Sequence, residues 1–141
     1  MISTVAVGTD GSATAAEAVA QAAEVARRFG AKLVLLSAFE DSPGERNQVG
    51  ASEEVQWTFS SSARVREILA RTSEELKRDG LDCSVRADEG EPADVLLRLV
   101  EECDADLLVI GNRGMKRRVL GSVPNTLTHR SPCTVVVVKT T

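Results

Sequence analysis

The sequence predicts a single α/β domain over residues 1–141, with an open, mostly parallel five-stranded sheet and helices on both faces. Short apolar runs alternate with longer stretches of helical periodicity, as in chains that build parallel sheets. Two runs, 33–36 and 107–110, are apolar throughout, which is typical of strands covered on both faces. Apolar residues make up 43% of the chain, so both faces can be buried.

The five predicted strands span residues 4–8, 32–39, 83–87, 106–111 and 134–138. The third alternates, with Ser84 and Arg86 on its wetter side, which predicts a strand at a sheet edge. The fifth contains four consecutive valines. Such a strand on a bare edge promotes aggregation unless another element covers it.

Four helices are predicted between these strands. The first has two candidate caps, a capping box from Thr14 to Glu17 or the hydroxyl of Ser12. A stripe through positions 65, 68, 69, 72 and 76 predicts the second. Pro92 opens the third, and the fourth begins near Val123 and ends before residue 132. Residues 40–52 lack periodicity and are expected to form an exposed loop, after which Trp57 and Phe59 are expected to pack against the second helix.

Composition excludes several classes of function. A net charge of −4 argues against a broad basic surface for nucleic acid. No basic start followed by an apolar stretch marks a signal peptide, and no run is long enough to span a bilayer. The three cysteines are widely spaced and odd in number, which argues against a disulfide framework or a zinc site. We therefore expect a cytoplasmic protein with no nucleic-acid or membrane partner.

A first glycine-bearing turn, Gly8-Thr9-Asp10-Gly11-Ser12, follows the first strand. Gly8 and Gly11 allow a sharp turn and the close approach of a ligand. Asp10 can accept a hydrogen bond from a ribose hydroxyl or hold a hydrated magnesium ion. An Asp-Gly pair is also a common turn that needs no ligand, and this segment alone favours that simpler interpretation.

A second turn, Gly111-Asn112-Arg113-Gly114, follows the fourth strand, and Gly121-Ser122 opens the last helix. A helix start presents open N–H groups and about half a positive charge, which suits a phosphate. Basic residues at 113, 116, 117 and 118 add local positive charge. A glycine turn beside a solvated basic patch is the alternative. Walker-type and dinucleotide-binding glycine motifs are both absent from the sequence.

Over nearly its whole length the sequence resembles the universal stress proteins. The resemblance rests on the motifs Val5-Ala6-Val7-Gly8-Thr9-Asp10-Gly11-Ser12, Gly90-Glu91-Pro92, Gly111-Asn112-Arg113-Gly114, Gly121-Ser122-Val123-Pro124 and Val135-Val136-Val137-Val138. It implies a Rossmann-like sheet in the order 3-2-1-4-5, in which both glycine turns meet where the strand order reverses. It also implies a homodimer formed through strand 134–138.

The resemblance further implies an adenine-nucleotide site, with phosphate contacts from Gly111, Gly114, Gly121 and Ser122, adenine or ribose contacts from Thr9 and Asp10, and a base pocket lined by Ala38. The predicted nucleotide-binding residues are Gly8, Thr9, Asp10, Ala38, Gly111, Arg113, Gly114, Gly121, Ser122 and Val123. The spacer 115–120 is shorter than that of the family's ATP-binding members by roughly one helical turn. The tighter loop suits AMP or cyclic AMP as well as ATP, with Mg²⁺ as a candidate partner of Asp10.

Three functions compete. The first is a nucleotide-binding regulator or sensor of the stress response, which is not an enzyme. The second is a slow ATP hydrolase or phosphotransferase, for which the motifs offer only Asp10 as a metal ligand and His129 as the sole histidine. The third is a dimeric interaction module with a vestigial nucleotide site.

Overall fold

The computed structural model describes residues 1–40, 61–112 and 121–139, which form alternating strands and helices. The strands are β1 (Thr4–Gly8), β2 (Lys32–Phe39), β3 (Cys83–Glu89), β4 (Leu107–Asn112) and β5 (Thr134–Lys139). The helices are α1 (Ala13–Phe29), α2 (Ser62–Arg78), α3 (Pro92–Glu102) and α4 (Ser122–Arg130). The expected loop and the aromatic residues Trp57 and Phe59 lie outside the described residues, Glu40 excepted.

The five strands form one parallel sheet in the order β3-β2-β1-β4-β5, which confirms the predicted order. Val7 in the central strand pairs with Leu35 of β2 and with Val109 of β4. The chain builds outward from β1 to β3 and then returns to place β4 on the other side of β1. This reversal makes the carboxyl ends of β1 and β4 the switch point, where open α/β sheets bind ligands.

Alternate residues of the strands enter two apolar layers. Val5, Leu33 and Leu35 pack with α1 and α2 on one face of the sheet. Ala6 and Leu36 pack with α3 and α4 on the other face. The central strands are therefore buried on both faces, which explains their continuous apolar sequence.

The structure corrects several local predictions. Ser12, not Thr14, caps α1, since its Oγ accepts a hydrogen bond from the N–H of Ala15 at 3.2 Å. Strand β3 extends to Glu89 because its last residues continue to pair with β2 as far as Phe39. Its predicted alternation is incomplete, because Val85 is 43% exposed although it lies on the expected inner side.

Strands β3 and β5 occupy the two edges of the described sheet, as predicted. Burial alternates along β5: Val136 is 38% exposed, Val135 and Val137 are half-buried, and only Val138 is buried. Within the described residues, no helix is long and apolar enough to cross a membrane.

Candidate functional site

The loop after β1 is held by a set of internal hydrogen bonds to Thr9. The N–H of Thr9 donates to the carbonyl of Leu36 at 2.9 Å, and the carbonyl of Thr9 accepts a hydrogen bond from the hydroxyl of Ser37 at 2.7 Å. Its own Oγ1 accepts the N–H of Gly11 at 3.2 Å. Thr9 is 5% exposed and Ser37 is 1% exposed, so the bond between them is shielded from water. Thr9 therefore fixes the loop against β2.

Asp10 lies between Thr9 and the start of helix α1. One carboxylate oxygen, Oδ1, accepts the N–H of Ser12 at 2.9 Å and closes a local turn. Ser12 in turn caps α1, so Asp10 also helps to orient the helix start. Asp10 is partly exposed. Its contacts with a nucleotide or a metal remain predictions.

Gly11 needs to be glycine for two reasons. Its φ is +81°, a left-handed conformation that costs other residues about 1–2 kcal/mol. A Cβ built there would lie 2.8 Å from Cδ1 of Ile68 in α2. The second helix is therefore in direct contact with the loop that follows β1.

Gly111, near the end of β4, lies against the first turn of α1. A Cβ at this position would be 3.0 Å from both the carbonyl oxygen and Cγ2 of Thr14. Glycine thus allows the helix that follows β1 to pack on β4. This contact places the start of α1, which follows the first glycine-bearing turn, directly on the first residue of the second turn.

The start of α4 is joined to the same edge by Asn112. The Oδ1 atom of this fully buried side chain accepts the N–H of Gly121 at 2.9 Å. Gly121 is the N-cap of α4 in extended conformation and has no side chain to cap the helix. Among the described residues, none accepts a hydrogen bond from the N–H of Ser122 or Val123. These two N–H groups, at the positive end of the helix dipole, form an anion-receptive edge.

The remaining predicted residues have varied environments. Gly8 is buried beneath α3, where a Cβ would lie 3.3 Å from Leu96. Ala38 is near the carboxyl end of β2 but is only 1% exposed, packed in the layer beneath α3. Arg113 and Gly114 lie outside the described residues. Direct nucleotide contacts by any of these residues stay predictions.

The sequence analysis assigned no role in the candidate site to three residues of this region: Ser37, Ile68 and Asn112. Ser37 and Asn112 carried a readable signal, since each is a polar side chain within or at the end of an apolar strand. Ile68 carried none that distinguishes it from the other apolar residues of its helix, because its contact with Gly11 is set by tertiary packing.

The charged and sulfur groups outside this region have structural roles. The N–H groups of Ser3 and Thr4 lower the pKa of Asp106, whose carboxylate accepts both. Burial raises the pKa of the Cys83 and Cys103 thiols, which disfavours the reactive thiolate. Residues 1–40, 61–112 and 121–139 contain no group of three or more His, Cys, Asp or Glu residues that could hold a metal ion.

The open parallel sheet, with two loops that meet at its switch point, defines a Rossmann-like α/β protein; in such folds, ligands bind outside the carboxyl ends of the strands. The model of the universal stress protein family matches residues 1–139, and the chain belongs to that family. A universal stress protein of Mycobacterium tuberculosis is 35% identical over 142 aligned residues, covering 98% of this chain and 97% of the relative.

Solved structures agree with this assignment. A crystal structure of a universal stress protein in complex with cyclic AMP is 34% identical, with a TM-score of 0.75 over 99% of this chain and 98% of that one. A family member from Arabidopsis thaliana with AMP bound is 22% identical, with a TM-score of 0.71 over 99% and 92%. The Arabidopsis structure, at 22% identity, shows that this chain has the same fold.

Proposed function

We propose that this protein binds an adenine nucleotide where β1, β4 and the start of α4 meet, and that it acts as a regulator or sensor in a cytoplasmic stress response. The observation that carries the proposal is the open start of α4 beside the switch point. Two adjacent backbone N–H groups and the exposed Ser122 hydroxyl can donate to one phosphate group. The complex of a 34% identical family member with cyclic AMP supports an adenine nucleotide as the ligand.

The proposed ligands are ATP, AMP and cyclic AMP. The donors of α4 described above fit a single phosphate group, because the next residue, Pro124, has no N–H to add. A monophosphate or a cyclic phosphodiester would use all of them. A longer phosphate chain would need further donors, for which Arg113 and Gly114 are the sequence candidates, and Mg²⁺ beside Asp10 belongs to that case.

We propose a binding protein that is not an enzyme. His129, the only histidine, is exposed in the last turn of α4, about 10 Å along the helix axis from Ser122. This distance places it poorly to act as a base near the phosphate. A slow ATP hydrolase is the alternative, and multiple turnovers of ATP per site would favour it.

We also propose that the protein is a homodimer formed through strand 134–138. The edge position of β5 and the 38% exposure of Val136 support this arrangement. Antiparallel pairing of the β5 strands of two subunits would give hydrogen-bond partners to the backbone groups on the β5 edge of each sheet.

Two measurements test nucleotide binding. Denaturing the purified protein and identifying any released ligand by mass spectrometry reveals a native nucleotide. Melting temperatures with cyclic AMP, AMP or ATP then rank the candidates, since a ligand at about 100 times its Kd stabilises by roughly 2.7 kcal/mol, or about 5–10 °C. The absence of both a released nucleotide and a thermal shift would leave the third function, an interaction module with a vestigial site.

A further inference from the structure

Asn112 is a fully buried polar side chain at the end of the apolar strand β4. A buried amide is costly unless it is hydrogen-bonded, and the Oδ1 atom of Asn112 accepts the N–H of Gly121 at 2.9 Å. This bond spans nine residues and joins the end of β4 directly to the start of α4. A side-chain hydrogen bond therefore links the start of α4 directly to the end of β4.

The bond replaces an interaction that α4 cannot make for itself. In a capping box, the side chain three residues after the N-cap accepts the N–H of the N-cap residue. In α4 that position is Pro124, whose side chain has no acceptor. Asn112 supplies the acceptor from the neighbouring strand. At the helix start its Oδ1 atom accepts the N–H of Gly121, and no described residue accepts the N–H groups of Ser122 and Val123.

We propose that Asn112 is a positioning residue for anion binding. Its amide oxygen holds the N–H of Gly121 at the start of α4, an interaction that we call the clamp. Because the side chain is neutral, it adds no negative charge beside the bound anion. The part of this proposal that concerns a ligand rests on the proposed nucleotide function. The clamp itself is a property of the ligand-free protein, so the two parts can be tested separately.

Two substitutions separate the clamp from the charge. Asn112→Ala removes the acceptor and adds no charge. Asn112→Asp has nearly the same shape and retains an oxygen that can accept the N–H of Gly121, but it places a negative charge beside the two open N–H groups. Like charges repel strongly where water is excluded, so this variant should lose affinity for an anion although the helix start is still held.

Asn125→Asp is the matched control. Asn125 lies in the same helix, is exposed, and would receive the same change of charge one turn further along. Water screens a charge at that exposed position, so its effect on affinity should be small.

The experiment measures two quantities on each variant: amide hydrogen exchange at Gly121 without ligand, and affinity for cyclic AMP by calorimetry. We expect Asn112→Ala to accelerate Gly121 exchange at least tenfold and to weaken binding. Asn112→Asp should retain the slow exchange yet bind at least tenfold more weakly, whereas Asn125→Asp should change affinity less than twofold. If Asn112→Ala does not fold, Asn112→Ser replaces it, because the serine side chain is too short to reach Gly121.

Unchanged Gly121 exchange in the Ala or Ser variant would overturn the clamp. Equal effects of Asn112→Asp and Asn125→Asp on affinity, or no effect of the former, would overturn the requirement for neutrality. If the unmodified protein bound none of cyclic AMP, AMP and ATP, the proposed function would fail and the ligand part with it. The exchange result would still decide the clamp.

Discussion

The carbonyl oxygen of Thr14 lies 3.0 Å from the place that a Cβ of residue 111 would occupy. The first turn of α1 thus packs directly on the backbone of β4, and only glycine fits at 111 without movement of one element. Two positions of the proposed site are therefore occupied by glycine for different reasons. Gly111 is required by the protein's own packing, whereas Gly121 faces only ordinary contacts.

Gly111→Ala should destabilise the fold. The new methyl group would meet helix backbone, which cannot move as a flexible side chain could, and overpacking of this kind typically costs about 1–3 kcal/mol. Urea denaturation of the ligand-free protein measures the loss. Stability equal to that of the unmodified protein would show that α1 and β4 are less tightly packed than the structure indicates.

Gly121→Val should weaken nucleotide binding strongly and leave the fold intact. The φ of residue 121 is −65°, and its Cβ would lie 3.4 Å from Oδ1 of Asn112 and 3.6 Å from Cδ of Pro124. A Cβ is tolerated there at little cost, but the branched side chain would occupy space in front of the helix start. We expect affinity to fall more than tenfold, equivalent to about 1.4 kcal/mol.

Calorimetry with cyclic AMP measures the affinity of the valine variant, and its melting curve checks the fold. Gly121→Ala provides a graded control, since a single methyl group should reduce binding less than valine does. Undiminished affinity in Gly121→Val would remove α4 from the binding site.

The sequence predicted the fold well because its signals are local. The bounds of β1 and β2 are right to the residue, since each strand is apolar and ends at a turn. The end of β3 was missed because Asp88 and Glu89 are polar, and they join the sheet only through pairing with Ala38 and Phe39. That pairing is a long-range property that no local pattern carries.

For the candidate site, the sequence identified the two loops at the switch point but not the reasons for their residues. The glycines at 11 and 111 indicated close approach, but the groups that approach are Ile68 and Thr14 of the protein itself. Both neighbours are distant in sequence, so only the folded chain reveals them. The open start of α4 was predicted correctly, because a glycine followed by serine, valine and proline leaves a helix start without a side-chain cap.

Asp106 should make stability depend on pH in the acid range. Its carboxylate accepts the N–H groups of Ser3 and Thr4, which lowers its folded pKa below the ordinary value of 3.8. A lowered carboxylate pKa stabilises the fold above the unfolded value, and this contribution is lost as the pH falls through the folded pKa. Asp106→Asn should therefore melt at a lower temperature than the unmodified protein at neutral pH, and the difference should shrink as the pH falls below the ordinary carboxyl pKa of 3.8. A difference that is constant with pH would contradict this role.

Val136→Lys should dissociate the proposed dimer. Val136 is 38% exposed on β5, and two lysines brought together at a two-fold strand pairing would repel each other. Val85→Lys is the matched control, because Val85 is the same residue type, 43% exposed, on the opposite edge strand β3. Analytical ultracentrifugation over a range of concentrations should show weaker dimerisation only for Val136→Lys. A monomeric unmodified protein would refute the dimer, and dissociation by Val85→Lys alone would assign the interface to β3.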